Sequence, residues 1–204
     1  MNIKKVTNLI VQFTVKRIIE IFGLLITFIG LFLLIALYSY SPEDPNFIFP
    51  SDTAIKNLLG FQGSYISDLF FQSIGIISYL VSITFILTGL NIFRNKDLFL
   101  IIENTFFTVL YTILGALFCN FFYQNTFELY INGNGGFVGQ YLSTTFLANI
   151  INFQITISYY SLIVLIITFF LISINFNLKN FIIFLKKIFN FFNSSNNKIY
   201  TNKN

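Results

Sequence analysis

Eight acids and no histidine narrow the chemistry open to this 204-residue chain. Without an imidazole, general-base work falls to a few carboxylates. Asp44 stands between prolines in Ser41-Pro42-Glu43-Asp44-Pro45, and Asp68 follows Ser67 after a glycine-containing stretch. Either acid would be the centre of a membrane enzyme, but a Pro-flanked Asp44 more simply sets a turn. The sequence shows no nucleophile–base pair, carboxylate dyad or metal-ligand cluster. The single Cys119 reads as a small packing residue. The run Asn132-Gly133-Asn134-Gly135-Gly136-Phe137-Val138-Gly139 invites a phosphate-cradle reading. Its spacing is not G-x-x-x-x-G-K-[ST] and no Lys follows, so the glycines read instead as close backbone approach. No catalysis, cofactor or metal is expected.

The elements that position these residues follow from composition. Apolar types make up 55% of the chain and charged residues 10%, with a mean hydropathy of +0.76. A soluble domain carries about 25% charge, so an ordinary soluble enzyme and a disordered regulator are excluded. A helix crosses a bilayer core of about 30 Å with about 20 apolar residues. Four windows qualify: about 18–38, 69–93, 98–123 and 157–176. They are continuously apolar rather than alternating, so the fold class is all-α, a four-span transmembrane helical bundle. The first window lacks an A-x-A site after it and reads as a retained anchor, not a cleaved signal.

Charge sets the orientation. Every Lys and Arg except Lys56 falls before the first span, between the second and third, or after the fourth. The positive-inside rule then places both termini in the cytoplasm. Residues 1–17 are a cytoplasmic segment, 18–176 the membrane domain, and 177–204 a juxtamembrane stretch. Arg94-Asn95-Lys96-Asp97 joins the second and third spans as a tight inner hairpin. Ser67 or Asp68 is placed to cap the second span. The stretch 140–149 is short and moderately apolar, and its depth is left open. Leu178–Phe192 repeats apolar residues at helical spacing beside Lys186 and Lys187, which suits a basic interfacial helix. The low-complexity end from Asn193 is the start of a disordered linker.

Within the spans, Glu20 lies three residues after Arg17 and is expected to pair with it. Glu103 is placed to snorkel toward, or pair with, Lys96 and Arg94. Gly75, Ser78, Ser82 and Gly89 share one face, and Gly23 and Gly30 lie a heptad apart. Small residues let helices approach closely in lipid, so these read as packing seams. Gln72, Asn91 and Asn120 read as hydrogen-bonding amides near span ends.

The ordered motifs resemble a known family. Tyr38-Ser39-Tyr40-Ser41-Pro42-Glu43-Asp44-Pro45 is similar to the S-x-x-D-P signature of the FtsK/SpoIIIE septal DNA translocases. Asn57-Leu58-Leu59-Gly60-Phe61-Gln62-Gly63-Ser64-Tyr65-Ile66-Ser67-Asp68 resembles their N-x-x-G-x-x-G-x-x-x-(S/A)-D segment. Gly75 falls where a family glycine opens the second span, and Gly135-Gly136-Phe137-Val138-Gly139 resembles their G-G-x-x-G. The resemblance covers about Ile18 to Phe176. It implies structural or interaction roles for Pro42, Asp44, Pro45, Gly60, Gly63, Asp68, Gly75, Gly135, Gly136 and Gly139.

It also implies an inner-membrane anchor at the division septum that helps assemble the division machinery. In the family that anchor tethers a hexameric cytoplasmic motor with Walker motifs and a winged-helix DNA reader. Neither is encoded within these 204 residues, so ATP hydrolysis and DNA translocation are not assigned to them. The chain is expected to be a fragment or the anchor half of a split gene. Its expected partners are the lipid bilayer, other division proteins and, by family analogy, copies of itself in a hexamer. DNA would be reached only through the missing motor. The competing reading is a small multispan transporter or channel subunit, which would need a polar path across the bilayer.

Overall fold

The computed structural model describes residues 3–45, 54–124, 133–179, 182, 183 and 186. The described residues form seven α-helices. These are α1 (Ile3–Tyr38), α2 (Gly60–Ile74), α3 (Ser78–Asn95), α4 (Phe99–Phe122), α5 (Gly136–Ser143), α6 (Phe146–Phe153) and α7 (Ile155–Ser173). A single 3₁₀ turn, Gly75–Ile77, joins α2 to α3. Four stretches are long and apolar enough to cross a membrane: Thr7–Tyr38, Gly60–Asn95, Phe99–Phe122 and Ile155–Ser173. The all-helical, four-span reading of the sequence is therefore the observed fold. Most of the expected basic helix over 178–192, and all of the linker after it, lie outside the described residues.

Two elements are longer than the apolar windows. α1 begins at Ile3 rather than near Ile18, because the helix runs on through Lys16 and Arg17 with no glycine or proline to stop it. At about 1.5 Å per residue its 36 residues reach well beyond a bilayer core. The second stretch begins at Gly60, nine residues before the apolar window, so Ser67 and Asp68 lie inside a helix and do not cap one.

The spans pack in the order α1, α3, α4, α7, with α1 lying mainly along α3 and α4 mainly along α7. Glycine makes the first contact close. A Cβ on Gly89 would stand 2.5 Å from both Gly23 O and Thr27 N, and one on Gly30 2.7 Å from Ile86 N. In lipid, where apolar burial gives little driving force, such backbone proximity supplies the dispersion contact that holds helices together. The apolar core gathers Leu33 and Leu37 of α1, Phe71 of α2, Val81 of α3, and Tyr111 and Leu117 of α4. Phe71 sits between Tyr40 and Tyr79, with ring centroids 4.8 and 5.6 Å away.

Polar side chains bridge the helices toward the other end. Thr84 Oγ1 lies 2.9 Å from Tyr111 Oη and 3.4 Å from Ser173 Oγ. Asn104 Nδ2 donates to Thr88 Oγ1 at 2.8 Å and to Asn175 Oδ1 at 3.0 Å. Asn91 Nδ2 donates to Ile174 O at 3.1 Å. These bonds join α3, α4 and the end of α7, the interhelical use of amides that Asn91 was expected to make. Lys96 takes a left-handed φ of 58° and donates its N–H to Ile92 O at 2.8 Å, which ends α3. Asp97 Oδ1 accepts Phe99 N–H at 2.9 Å and starts α4, completing the expected hairpin.

Candidate functional site

The bundle has two unlike ends. One carries Arg17, Arg94 and Lys96 and is called here the basic end. The other, the loop end, carries the segments after α1 and α4, and Pro42, Asp44, Pro45, Gly60, Gly63, Asp68, Gly75, Gly135, Gly136 and Gly139 lie on it or lead into it.

The first cluster forms around Asp44, which is buried. A turn through Ser41 and Pro42, closed by Asp44 N–H to Ser41 O at 3.2 Å, carries the acid inward. Its two oxygens divide their work: Oδ1 accepts Lys56 N–H and Oδ2 accepts Asn57 N–H, each at 2.8 Å. A carboxylate holding two backbone donors across 12 residues is a clasp, the same chemistry as a helix cap applied to a loop. It is not placed as a free acid or base. Asn57 extends the clasp. Its Nδ2 donates to Ala36 O at 2.9 Å and Ser39 O at 3.3 Å, carbonyls left open by the end of α1. Its Oδ1 accepts Leu59 N–H at 3.1 Å.

The next motif residues complete this cluster. Gly60 has φ +64° with open space around it and begins α2. A Cβ on Gly63 would fall 2.1 Å from Asn57 Oδ1, so only a bare backbone lets the amide pass. Ser64 Oγ donates to Pro45 O at 2.7 Å. Asp68 is buried one turn on, where its carboxylate accepts Tyr40 Oη–H at 3.3 Å and bonds Gln72. Outside the clasp, Glu43 pairs with Lys56. The Lys56 ammonium holds the Glu43 carboxyl below its ordinary range, and the carboxylate raises the lysine in return.

The second cluster brings Gly75 together with residues some 60 positions later. Gly75 has φ +64°, and a Cβ there would lie 1.9 Å from Asn134 O. That carbonyl accepts Ile76 N–H at 3.0 Å. The loop after α4 thus enters the break between α2 and α3 and satisfies a donor freed by that break. Asn134 is wholly buried, and its Nδ2 bonds Tyr123 O at the end of α4. Gly136 has φ +61°, with Ile74 N 2.6 Å from where its Cβ would be. Gly135 and Gly139 lie against Ala116 O of α4, at 2.4 and 2.3 Å on the same measure. The G-G-x-x-G run therefore lies backbone against backbone, as the close-approach reading expects.

Sequence reasoning named the glycines and acids but passed over Asn57 and Asn134 as sites. Each stands before a glycine motif, Asn57-x-x-Gly60 and Asn134-Gly135-Gly136, but that position does not name the carbonyl the amide bonds. Their partners are 21 and 11 residues away. Among the described residues no group of three or more Cys, His, Asp or Glu is placed to hold a metal ion. At the basic end Glu20 pairs with Arg17, as expected. It also takes Lys96 Nζ at 2.8 Å, the lysine expected to be available to Glu103.

A family model described as the 4TM region of DNA translocase FtsK/SpoIIIE matches residues 15–185. The chain belongs to that family. It is 28% identical over 162 residues to a DNA translocase FtsK of Rickettsia bellii (strain RML369-C), an alignment covering 78% of this chain and 20% of the relative. It is 33% identical over 87 residues to a DNA translocase FtsK of Azospirillum brasilense, covering 42% of this chain and 14% of the relative. The chain thus spans about a fifth or less of these relatives' length. No solved structure matches. With its four membrane-length helices, the FtsK/SpoIIIE 4TM region makes this a multi-pass protein of the inner membrane. Both clusters lie within the matched stretch.

Proposed function

We propose that the chain is the membrane anchor of a cell-division DNA translocase, held at the septum with both termini in the cytoplasm. The observation that carries this reading is the family match over residues 15–185, the same stretch that holds both loop-end clusters. The clusters tie the two loop segments to the helix ends through buried backbone bonds, so Asp44, Asp68 and the glycines act by building a fixed surface. That surface faces away from the basic end and is offered to other division proteins. Pumping of DNA belongs to the motor of the whole translocase and not to these helices. The buried amides and hydroxyls between α3, α4 and α7 hydrogen-bond one another, which is helix glue and not a solute path.

The test is localisation of the whole protein carrying a fluorescent tag, in dividing cells. The anchor reading expects a band at mid-cell that is lost in Gly75→Ala. Even labelling of the cell periphery throughout division would refute septal targeting. Orientation is checked separately with reporters that are active on only one side of the membrane, fused after Lys179 and between α1 and α2.

A further inference from the structure

Of the three carboxylates near the basic end, Asp97 accepts Phe99 N–H, and the surroundings of the other two differ. Glu20 is held by Arg17 and Lys96. Glu103 is exposed and meets no cation among the described residues. It is the sole charge on α4, and an unpaired charge on a membrane-crossing helix costs enough that a partner is the rule. Glu103 lies four residues past Phe99, about 6 Å along the axis, so it stands near headgroup level and not at mid-core. Its neighbours Ile102 and Phe106 are exposed beside it, so this face of α4 meets lipid.

Glu103 opens on a cleft of about 550 Å³ between α4 and the end of α7. Leu171, Ile172 and Phe176 form its apolar wall, and Asn175 and Asn177 its amide edge. Asn177 Oδ1 accepts Lys179 N–H at 3.0 Å, so an exposed lysine follows two residues after this lining asparagine. An acid on the cleft wall and a base two residues beyond its amide edge, beside an apolar surface, match a headgroup with the opposite arrangement.

We propose that this cleft binds a phospholipid with a primary ammonium headgroup, of the phosphatidylethanolamine type, from the leaflet at the basic end. The ammonium donates to the Glu103 carboxylate, the phosphate faces Lys179, and an acyl chain lies against Leu171 and Ile172. An anionic headgroup lacks the cation that Glu103 requires. The proposal rests only on the membrane-spanning part of the anchor reading, so a failure of septal targeting would leave it untouched.

The experiment uses the full chain reconstituted in vesicles of equal phosphatidylethanolamine and phosphatidylglycerol, gently extracted, with retained lipid identified by native mass spectrometry. A charge-assisted bond at this depth should retain the ethanolamine lipid about fivefold over the glycerol lipid. Glu103→Gln should reduce that ratio to the vesicle composition, whereas Lys179→Gln, which loses a contact to the phosphate common to both lipids, should lower the total lipid retained without lowering the ratio. Phosphatidylcholine, whose quaternary ammonium has no N–H to donate, should be retained less than phosphatidylethanolamine by the unaltered chain. That comparison decides the matter even if Glu103→Gln fails to insert. Equal ratios in the two chains, or equal retention of choline and ethanolamine lipids, would overturn the proposal. So would a self-associated species lost only in Glu103→Gln, which would assign the missing cation to a second copy.

Discussion

The two ends of this bundle are held together by different physics. At the loop end, buried carboxylate and amide groups clasp backbone N–H and C=O groups, and glycines let one chain segment lie on another. At the basic end, the buried carboxylate of Glu20 joins α1 to the α3–α4 hairpin through Arg17 and Lys96, whose side chains are partly exposed. Buried clasps are costly to break, because a stranded donor keeps its full desolvation penalty. Pairs whose cations are exposed are cheaper to break and more sensitive to salt. The loop end should therefore behave as rigid structure, and the basic end as an adjustable contact.

The hardest test of this contrast is Gly75→Ala. The substitution forces a Cβ into Asn134 O at a positive φ, so we expect a loss of about 3 kcal/mol or more, through steric clash added to backbone strain. Gly60→Ala shares the φ but meets nothing within 4 Å, and should cost only about 1 kcal/mol. Thermal unfolding in detergent measures both. Equal losses would show that φ alone, and not the approach of the second loop, sets the cost.

Next comes Asp44→Ala, which strands the N–H groups of Lys56 and Asn57. We expect about 2–3 kcal/mol lost, and faster proteolysis in the segment between α1 and α2. Asp44→Asn retains one acceptor and should recover part of the loss. A neutral Asp44→Ala would remove the clasp from the account.

Glu20→Gln should lower Tm by less than Asp44→Ala. Raising salt should reproduce most of its effect in the unaltered protein, because the pair is partly hydrated. An effect as large as that of Asp44→Ala and independent of salt would erase the difference between the two ends.

The smallest effect belongs to Glu43 and Lys56. The acid is lowered in the folded state, so its contribution is present above its ordinary value of 4.5 and is lost as pH falls through the lowered one. The lysine is raised, so its contribution is present below 10.5 and lost as pH rises through the raised value. Both groups are largely exposed, and Lys56→Ala should lower Tm slightly near neutrality and so flatten the shallow acid limb of its pH profile.

Several of these features were legible beforehand. The Gly23 and Gly89 seam could be expected because small residues on one helical face have one main use in lipid. The Arg17–Glu20 pair is local, and spacing alone finds it. Asn57 and Asn134 were not legible as anchors, because an amide carries no mark of the carbonyl it will meet. The start of α2 at Gly60 was hidden because Gly60–Asp68 is too polar to register as span, although its polar groups are satisfied by the loop before it. The partner of Lys96 was hidden too, since it lies on a helix more than 70 residues earlier.

By itself the sequence determined that this chain is four apolar helices with all but one of its Lys and Arg in the segments expected on one side, and that its ordered glycine and aspartate motifs resemble those of the FtsK/SpoIIIE DNA translocases. Those properties follow from run length, composition and local order, which need no partner to be read. Only the tertiary structure decided what the motifs do. Asp44 closes a loop on Lys56 and Asn57, and Gly75 admits the Asn134 carbonyl. A hydrogen bond or a close approach is a relation between distant segments, and it exists only once packing has brought them within about 3 Å.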